Sequence, residues 1–141
     1  TIGVKPDGSK WLVAVLDPSD TNAYLGMIES EDEAIVTSGA YQRYFEQDGV
    51  RYHHIIDPET GCPADSGVIS ATVICDNGTM ADALSTSLFI MGVEKSSEFW
   101  RETGGFDFIL VSEDGTVFVT EGIADRFSLS DPNAYTLEVI S

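Results

Sequence analysis

The sequence predicts an α+β fold in which antiparallel strand hairpins pack with a few helices. Two hairpin signals indicate the strands, because Asp48-Gly49 and Glu113-Asp114-Gly115 each join two apolar or aromatic-rich segments. A third observation indicates a helix, since after residue 79 the apolar residues recur at three- and four-residue steps. Strands in hairpins around a few helices are typical of the α+β class.

The predicted strands follow one another along most of the chain. They cover residues 11–16, 34–36, 41–46, 50–56, 68–75, 106–111, 117–120 and 135–140. The first is apolar throughout and ends at Asp17-Pro18, so we expect it to be buried. Thr37-Ser38-Gly39 is predicted to form a small polar turn. Residues 57–61 (DPETG) are predicted to form the turn that closes the strand before them.

Two helices are predicted, over about residues 79–91 and 94–102. The first carries one apolar stripe, formed by Met80, Leu84, Leu88 and Met91. Asn77 is expected to cap the start of this helix, and Gly92 is expected to end it.

The composition excludes several classes of function. The chain has 141 residues with 24 Asp or Glu and seven Lys or Arg, which gives a formal net charge of −17. Such a surface cannot bind nucleic acid, and an anionic membrane would repel it. No apolar run approaches the roughly 20 residues of a membrane span, so no membrane insertion is expected. Cys62 and Cys75 lack metal-ligand spacing, and whether they pair stays open.

Asp82 and Thr86 form the first candidate site. They are four residues apart on the predicted helix, so their side chains lie one turn apart on the same face, beside Ser85. A carboxylate and a hydroxyl suit magnesium, which takes one or two protein carboxylates and adds water and substrate phosphate. The alternative, which the spacing alone favours, is that Asp82 complements the helix dipole and Thr86 bonds to its own helix.

His54 is the second candidate. Histidine changes protonation near neutral pH, so His54 could take the proton of a hydroxyl nucleophile. In a strand over residues 50–56, His54 and Ile56 share one face while His53 lies on the other. The alternative is a strand-end histidine held by a backbone oxygen or a turn carboxylate. Asp57, before a proline, is typical of a turn residue.

Ser38 and Gly39 lie in the third candidate segment, Thr37-Ser38-Gly39. Turns of small residues let backbone amides approach a phosphate, but any tight strand connection has the same composition. The chain has no Walker loop, dinucleotide-binding glycine fingerprint, nucleophile elbow or Cys/His cluster. These residues alone therefore indicate an acidic α+β domain with a candidate metal site.

Four stretches of the chain together carry a family resemblance. They are residues 37–46 (TSGAYQRYFE), 48–64 (DGVRYHHIIDPETGCPA), 70–73 (SATV) and 81–92 (ADALSTSLFIMG), preceded by residues 3–8 and Trp11. Each stretch is a weak signal alone, but their order and spacing are specific. In this series the chain resembles the ApbE family of FAD:protein FMN transferases, formerly described as thiamine biosynthesis lipoproteins.

The resemblance implies a magnesium-dependent transfer of FMN from FAD to a threonine or serine hydroxyl of a target protein, with release of AMP. It implies that Asp82 and Thr86 hold Mg²⁺, which offsets charge on the phosphorus under attack. It implies that His54 takes the hydroxyl proton. It also implies that Ile56 contacts the flavin, and that Ser38 and Gly39 border the same site. Some relatives carry an acid where this chain has Ser85, so no third metal ligand is expected from the helix.

The resemblance also implies what surrounds the chain. A chain of this length is one domain or part of one. Family members have a long N-terminal half that supplies much of the flavin pocket, so we expect residues 1–141 to be a single C-terminal part. We expect this fragment alone to be inactive and to bind FAD weakly. Many relatives are lipid-anchored outside the cytoplasmic membrane and modify redox-pump subunits, which implies the same location and target class for the parent protein.

Three other functions are consistent with parts of the pattern. An FAD pyrophosphatase would make the same cut with water as acceptor and release free FMN and AMP. A flavin-binding protein without catalysis would not need Asp82, Thr86 and His54 together. A structural or interaction module would show no metal-dependent flavin binding.

Overall fold

A computed structural model of the chain confirms the α+β class. The structure describes residues 1–41, 44–47 and 50–141, and of residues 46, 47, 50 and 51 only the backbone. Within these residues the elements are β1 (Trp11–Leu16), β2 (Tyr24–Ser30), β3 (Ala34–Gly39), β4 (Tyr44–Gln47), β5 (Val50–His53), β6 (Val68–Cys75), α1 (Gly78–Thr103), β7 (Asp107–Ser112), β8 (Thr116–Thr120), β9 (Phe127–Leu129) and β10 (Thr136–Ile140).

A five-stranded sheet organises the fold, with the strand order β10-β8-β7-β6-β3. Its strands pair antiparallel except β10, which runs parallel to β8. The sheet is covered on both faces, and β6 is therefore buried along almost its whole length. This accounts for the mixture of β-branched and small residues in β6, because both of its faces pack against other elements.

The two faces of this sheet carry separate hydrophobic cores. On one face α1 packs against alternate residues of β6 and β7, in a cluster that includes Ala71, Val73, Phe108, Leu110, Ala81, Leu88 and Phe89. On the other face lies a three-stranded sheet, ordered β1-β2-β9. Its core includes Val15, Leu25, Ile28, Phe127, Ile74, Ile109 and Val119. The molecule thus has three layers, with α1 laid along β3 and β6 on one outer side.

The start and the interruption of α1 were both predicted correctly. The Asn77 side chain accepts a hydrogen bond from the main-chain nitrogen of Met80 at a distance of 3.0 Å, as an N-cap does. Gly92 has φ 78° and ψ 175°, which breaks the helix into the two predicted segments within Gly78–Thr103. A Cβ at Gly92 would lie 3.1 Å from the carbonyl oxygen of Ser66, so glycine is needed for space as well as for conformation.

We expect Gly92→Ala to destabilise the chain more than Gly104→Ala. Gly104 has φ 64° and ψ −168°, so both positions lie in a region that is essentially restricted to glycine, at a cost of about 1–3 kcal/mol for other residues. Only Gly92 has a neighbouring atom within 4 Å of the added Cβ. Urea unfolding of both variants tests this, and equal losses in the free energy of unfolding would show that the Ser66 contact is unimportant.

The buried face of α1 differs from the predicted apolar stripe. The buried residues of its first segment are Ala81, Ser85, Leu88 and Phe89, whereas 39% of Met80 is exposed. Of the predicted stripe, only Leu88 is fully buried. Small residues at positions 81 and 85 let the helix approach β3 and β6 closely, and this rotates the Met80 side of the helix toward solvent.

Three predictions for the strands were wrong in detail. β1 was expected to be buried, but it is an edge strand of its sheet. Leu12 is therefore 56% exposed, and Val15 is the one buried residue of the strand. Thr37-Ser38-Gly39 is not a turn, because all three residues pair with β6 as the end of β3. β5 ends at His53, so the alternation that placed His54 and Ile56 on one strand face does not apply.

Two strands, β2 and β9, were not predicted. In β2, Gly26 interrupts the apolar pattern that would have indicated a strand. A Cβ at this position would lie 2.5 Å from the Ser128 carbonyl oxygen of β9. The glycine therefore permits the close approach of β9, which is only three residues long. The hairpin of β4 and β5 was predicted, but its Asp48-Gly49 turn lies outside the described residues.

Candidate active site

Three hydroxyl groups meet where the end of β3 packs against α1. Ser38 Oγ lies 2.7 Å from Ser85 Oγ and 3.1 Å from Thr86 Oγ1. Ser85 is fully buried, Ser38 is half-buried and Thr86 is exposed, so the cluster runs from the interior to the surface. The structure therefore joins two predicted site residues, Ser38 and Thr86, that are 48 positions apart in the sequence.

Asp82 lies one helical turn before Thr86 and is exposed. The structure weakens the interpretation that Asp82 only caps the helix, because Asn77 caps it and the first turn contains no acidic residue. The dipole effect falls off beyond that turn. Thr86 bonds to Ser38 rather than to its own helix. In the part of the chain that the structure describes, no side chain forms a hydrogen bond or ion pair with the Asp82 carboxylate.

The two histidines have different environments. His53 is half-buried, and its Nε2 lies 3.0 Å from the Ala64 carbonyl oxygen. Its ring packs edge-on against the Phe89 ring, with 5.4 Å between the two ring centroids. This is the structural role that the sequence offered as the alternative for His54. His54 itself is exposed, on the irregular segment that follows β5. The catalytic role was assigned to His54 from the family resemblance, because alternation along the predicted strand separates the two rings without favouring either one.

The predicted turn after the histidines is present. The Asp57 carboxylate accepts a hydrogen bond from the main-chain nitrogen of Glu59 at 2.9 Å. The main-chain nitrogen of Gly61 donates a second one to the Asp57 carbonyl oxygen at 2.8 Å. Ile56 pairs with Pro63 across this turn as an isolated bridge. Its side chain is 46% exposed, so it is available to an apolar ligand. Gly39, by contrast, is buried against the ring of Tyr41 and can offer a ligand only its backbone.

A cavity of about 440 Å³ lies beside the hydroxyl cluster, farther along α1. It is lined by Ala40, Tyr52, His53, residues 63–69, Phe89 and Glu113. None of the predicted catalytic, flavin-binding or metal-binding residues lines it. Phe89 follows Ser85 by one helical turn, so the cavity and the hydroxyl cluster are neighbours on one face of the helix.

The residues of this site lie within the part of the chain that matches known proteins. A sequence profile of the ApbE family matches residues 1–110, which include β3, the histidines, and Asp82 and Thr86 on α1. The chain belongs to the ApbE family. It is similar to the FAD:protein FMN transferase of Treponema pallidum, with 45% identity over 86% of this chain and 34% of that protein. The FAD:protein FMN transferase of Vibrio cholerae shares 49% identity over 66% of this chain and 28% of its own length.

Solved ApbE structures have the same fold. The ApbE protein of Thermotoga maritima matches with a TM-score of 0.77 and 41% identity, over 85% of this chain and 39% of that one. The flavinyl transferase ApbE of Pseudomonas stutzeri, in its apo form, matches with a TM-score of 0.67 and 35% identity, over 84% and 37%. The chain thus spans between a quarter and two fifths of the length of the ApbE proteins compared here.

The donor set at the cluster fits a hard cation. Asp82 contributes a carboxylate and Thr86 a hydroxyl, and these oxygen ligands are the kind that magnesium takes. Within residues 1–41, 44–47 and 50–141, no three His, Cys, Asp or Glu side chains form a metal-binding group. No helix among these residues is long and apolar enough to cross a membrane. Cys62 is exposed, Cys75 is buried, and both are free thiols.

Proposed function

We propose that this chain is the C-terminal part of an enzyme that transfers FMN from FAD to a threonine or serine hydroxyl of a target protein and releases AMP. The observation that carries the proposal is the exposed pair of Asp82 and Thr86, joined to Ser38 of β3, in a chain of the ApbE family. The names of the Treponema pallidum and Vibrio cholerae relatives support the reaction.

Asp82 and Thr86 would hold Mg²⁺ in this proposal. When bound, the ion supplies positive charge that offsets the negative charge on the FAD pyrophosphate and on the AMP that leaves. The formal net charge of −17 is compatible with this role, because a cation between the acidic protein and the dianionic pyrophosphate would reduce their repulsion.

The remaining predicted residues have separable roles. His54 is exposed after β5, so it can reach a hydroxyl of a docked protein and take its proton as the oxygen attacks the FMN-side phosphorus. His53 is less suited to this, because its Nε2 is bonded to the Ala64 carbonyl oxygen and its other ring nitrogen, Nδ1, is buried. Ile56 would contact the flavin ring, and the backbone at Ser38 and Gly39 would border the same site.

The rest of the flavin pocket would come from the part of the family fold that this chain does not include. The ApbE proteins named above are about two and a half to three and a half times as long as the segment that this chain matches. We therefore expect the 141-residue chain by itself to transfer no FMN and to bind FAD weakly. The longer protein that carries this chain is the appropriate enzyme for assays of activity.

Product analysis of that longer protein tests the proposal. It is incubated with FAD, magnesium and an acceptor domain that carries one threonine, and with the same domain after Thr→Val replacement. We expect the threonine acceptor alone to gain the mass of one FMN, with one AMP released per transfer. Free FMN and AMP with both acceptors would instead identify a pyrophosphatase, and bound but uncleaved FAD would identify a binding protein.

A further inference from the structure

The three hydroxyls at the candidate site form a chain of hydrogen bonds with one direction. Ser85 Oγ donates a hydrogen bond to the main-chain carbonyl oxygen of Asp82 at a distance of 3.0 Å, and a carbonyl oxygen can only accept. Ser85 has a single hydroxyl hydrogen, so its 2.7 Å contact with Ser38 requires Ser38 to donate. Ser38 then has no hydrogen left, so its 3.1 Å contact with Thr86 requires Thr86 to donate.

This direction determines what Thr86 presents to a ligand. Because its only hydrogen points to Ser38, the exposed side of the Thr86 hydroxyl carries lone pairs and no donor. Lone pairs bind a cation, whereas a phosphate oxygen would need a donor. The network therefore prepares Thr86 for a cation and disfavours a direct bond from Thr86 to a phosphate.

We propose that Ser85 and Ser38 are positioning residues that orient Thr86 as a cation ligand and so determine the cation affinity of the site. Ser85 is fully buried and cannot touch a ligand, but its hydroxyl contacts both the Asp82 main chain and the Ser38 side chain. Its hydroxyl is anchored on the carbonyl of Asp82 and, through Ser38, fixes the hydroxyl of Thr86. The inference rests on the proposed function only where it takes the cation to be magnesium.

The first test measures Mn²⁺ binding by electron paramagnetic resonance in the longer protein that carries this chain. We expect Ser85→Ala and Ser38→Ala each to raise the Kd for Mn²⁺ roughly three- to tenfold, the effect of about one net hydrogen bond. Ser38→Thr keeps the hydroxyl and should restore the affinity. Ser87→Ala is the matched control, because Ser87 lies on the same helix and donates only to the Ala83 carbonyl, at 2.9 Å.

A double-mutant cycle separates positioning from a general structural effect. Once Thr86→Val has removed the ligand, Ser85→Ala should change the Mn²⁺ affinity no further. The inference is overturned if Ser85→Ala costs as much in the Thr86→Val background as in wild type. It is also overturned if folded Ser38→Ala protein, with a wild-type thermal midpoint, binds Mn²⁺ as Ser87→Ala does, or if wild type binds no Mn²⁺.

Assays of FMN transfer on the same variants separate this inference from the proposed function. If wild type transfers no FMN while the Mn²⁺ affinities fall as expected, the proposed reaction fails and the positioning role stands. If wild type transfers FMN while Ser85→Ala and Ser38→Ala bind Mn²⁺ normally, the reaction stands and the positioning role is wrong.

Discussion

Replacing Asp82 by alanine is expected to lower the rate of FMN transfer by roughly 100- to 1,000-fold in the longer protein that carries this chain. Charge stabilisation by a bound cation is worth several kcal/mol, and each 1.4 kcal/mol or so is a factor of ten in rate. Asp82 is the exposed carboxylate of the proposed site, and among the described residues it belongs to no group of three or more His, Cys, Asp or Glu side chains that could hold a metal. Intact-mass measurement of the acceptor over time gives the rate directly.

Glu98→Ala is the matched control for Asp82→Ala. Glu98 is also an exposed carboxylate on α1, but it lies in the segment after Gly92, away from Ser38 and Thr86. We expect Glu98→Ala to leave the rate within about twofold of wild type, as for ordinary surface changes. Similar losses in both variants would show that general negative charge matters, and a wild-type rate in Asp82→Ala would remove Asp82 from the site.

Replacing Phe89 by alanine is expected to lower the free energy of unfolding by about 3–5 kcal/mol. Phe89 is 1% exposed, packs in the core between α1 and the five-stranded sheet, and meets the His53 ring edge-on. A loss of this size is a large part of the stability of an ordinary domain, which is about 5–15 kcal/mol. Urea unfolding followed by circular dichroism measures the change.

Met80→Ala provides the comparison that tests the orientation of α1. The sequence places Met80 in the apolar stripe, whereas the structure leaves 39% of its surface exposed. We therefore expect this variant to lose less than about 1 kcal/mol. If Met80→Ala instead costs as much as Phe89→Ala, the helix is rotated as the simple stripe predicts, and the placement of Ser85 against Ser38 would be wrong with it.

The elements that the sequence predicted correctly depend on neighbours along the chain. The Asn77 cap, the break at Gly92 and the turn at residues 113–115 each follow from a few adjacent residues. The spacing of Asp82 and Thr86 is local too, since four residues make one helical turn. The family resemblance likewise depends only on the order of short motifs, and the profile match confirms it.

The errors occur where distant parts of the chain meet. The strand over residues 50–56 ends early because Ile56 pairs with Pro63, and the segment at residues 37–39 stays extended because β6 pairs with it. β2 was missed because its glycine has a reason only in β9. None of these partners is visible from the local pattern of apolar residues.

By itself the sequence determined the family, the fold class and the placing of Asp82 and Thr86 one turn apart on one helix. Only the tertiary structure decided that Ser38 completes a hydrogen-bonded chain with Ser85 and Thr86, and that His53 rather than His54 is engaged by the loop at Ala64. For the hydrogen-bonded chain, the physical reason is the rotation of α1 about its own axis. Periodicity places side chains around a helix, but the face that is buried depends on how closely small residues let the helix approach the sheet.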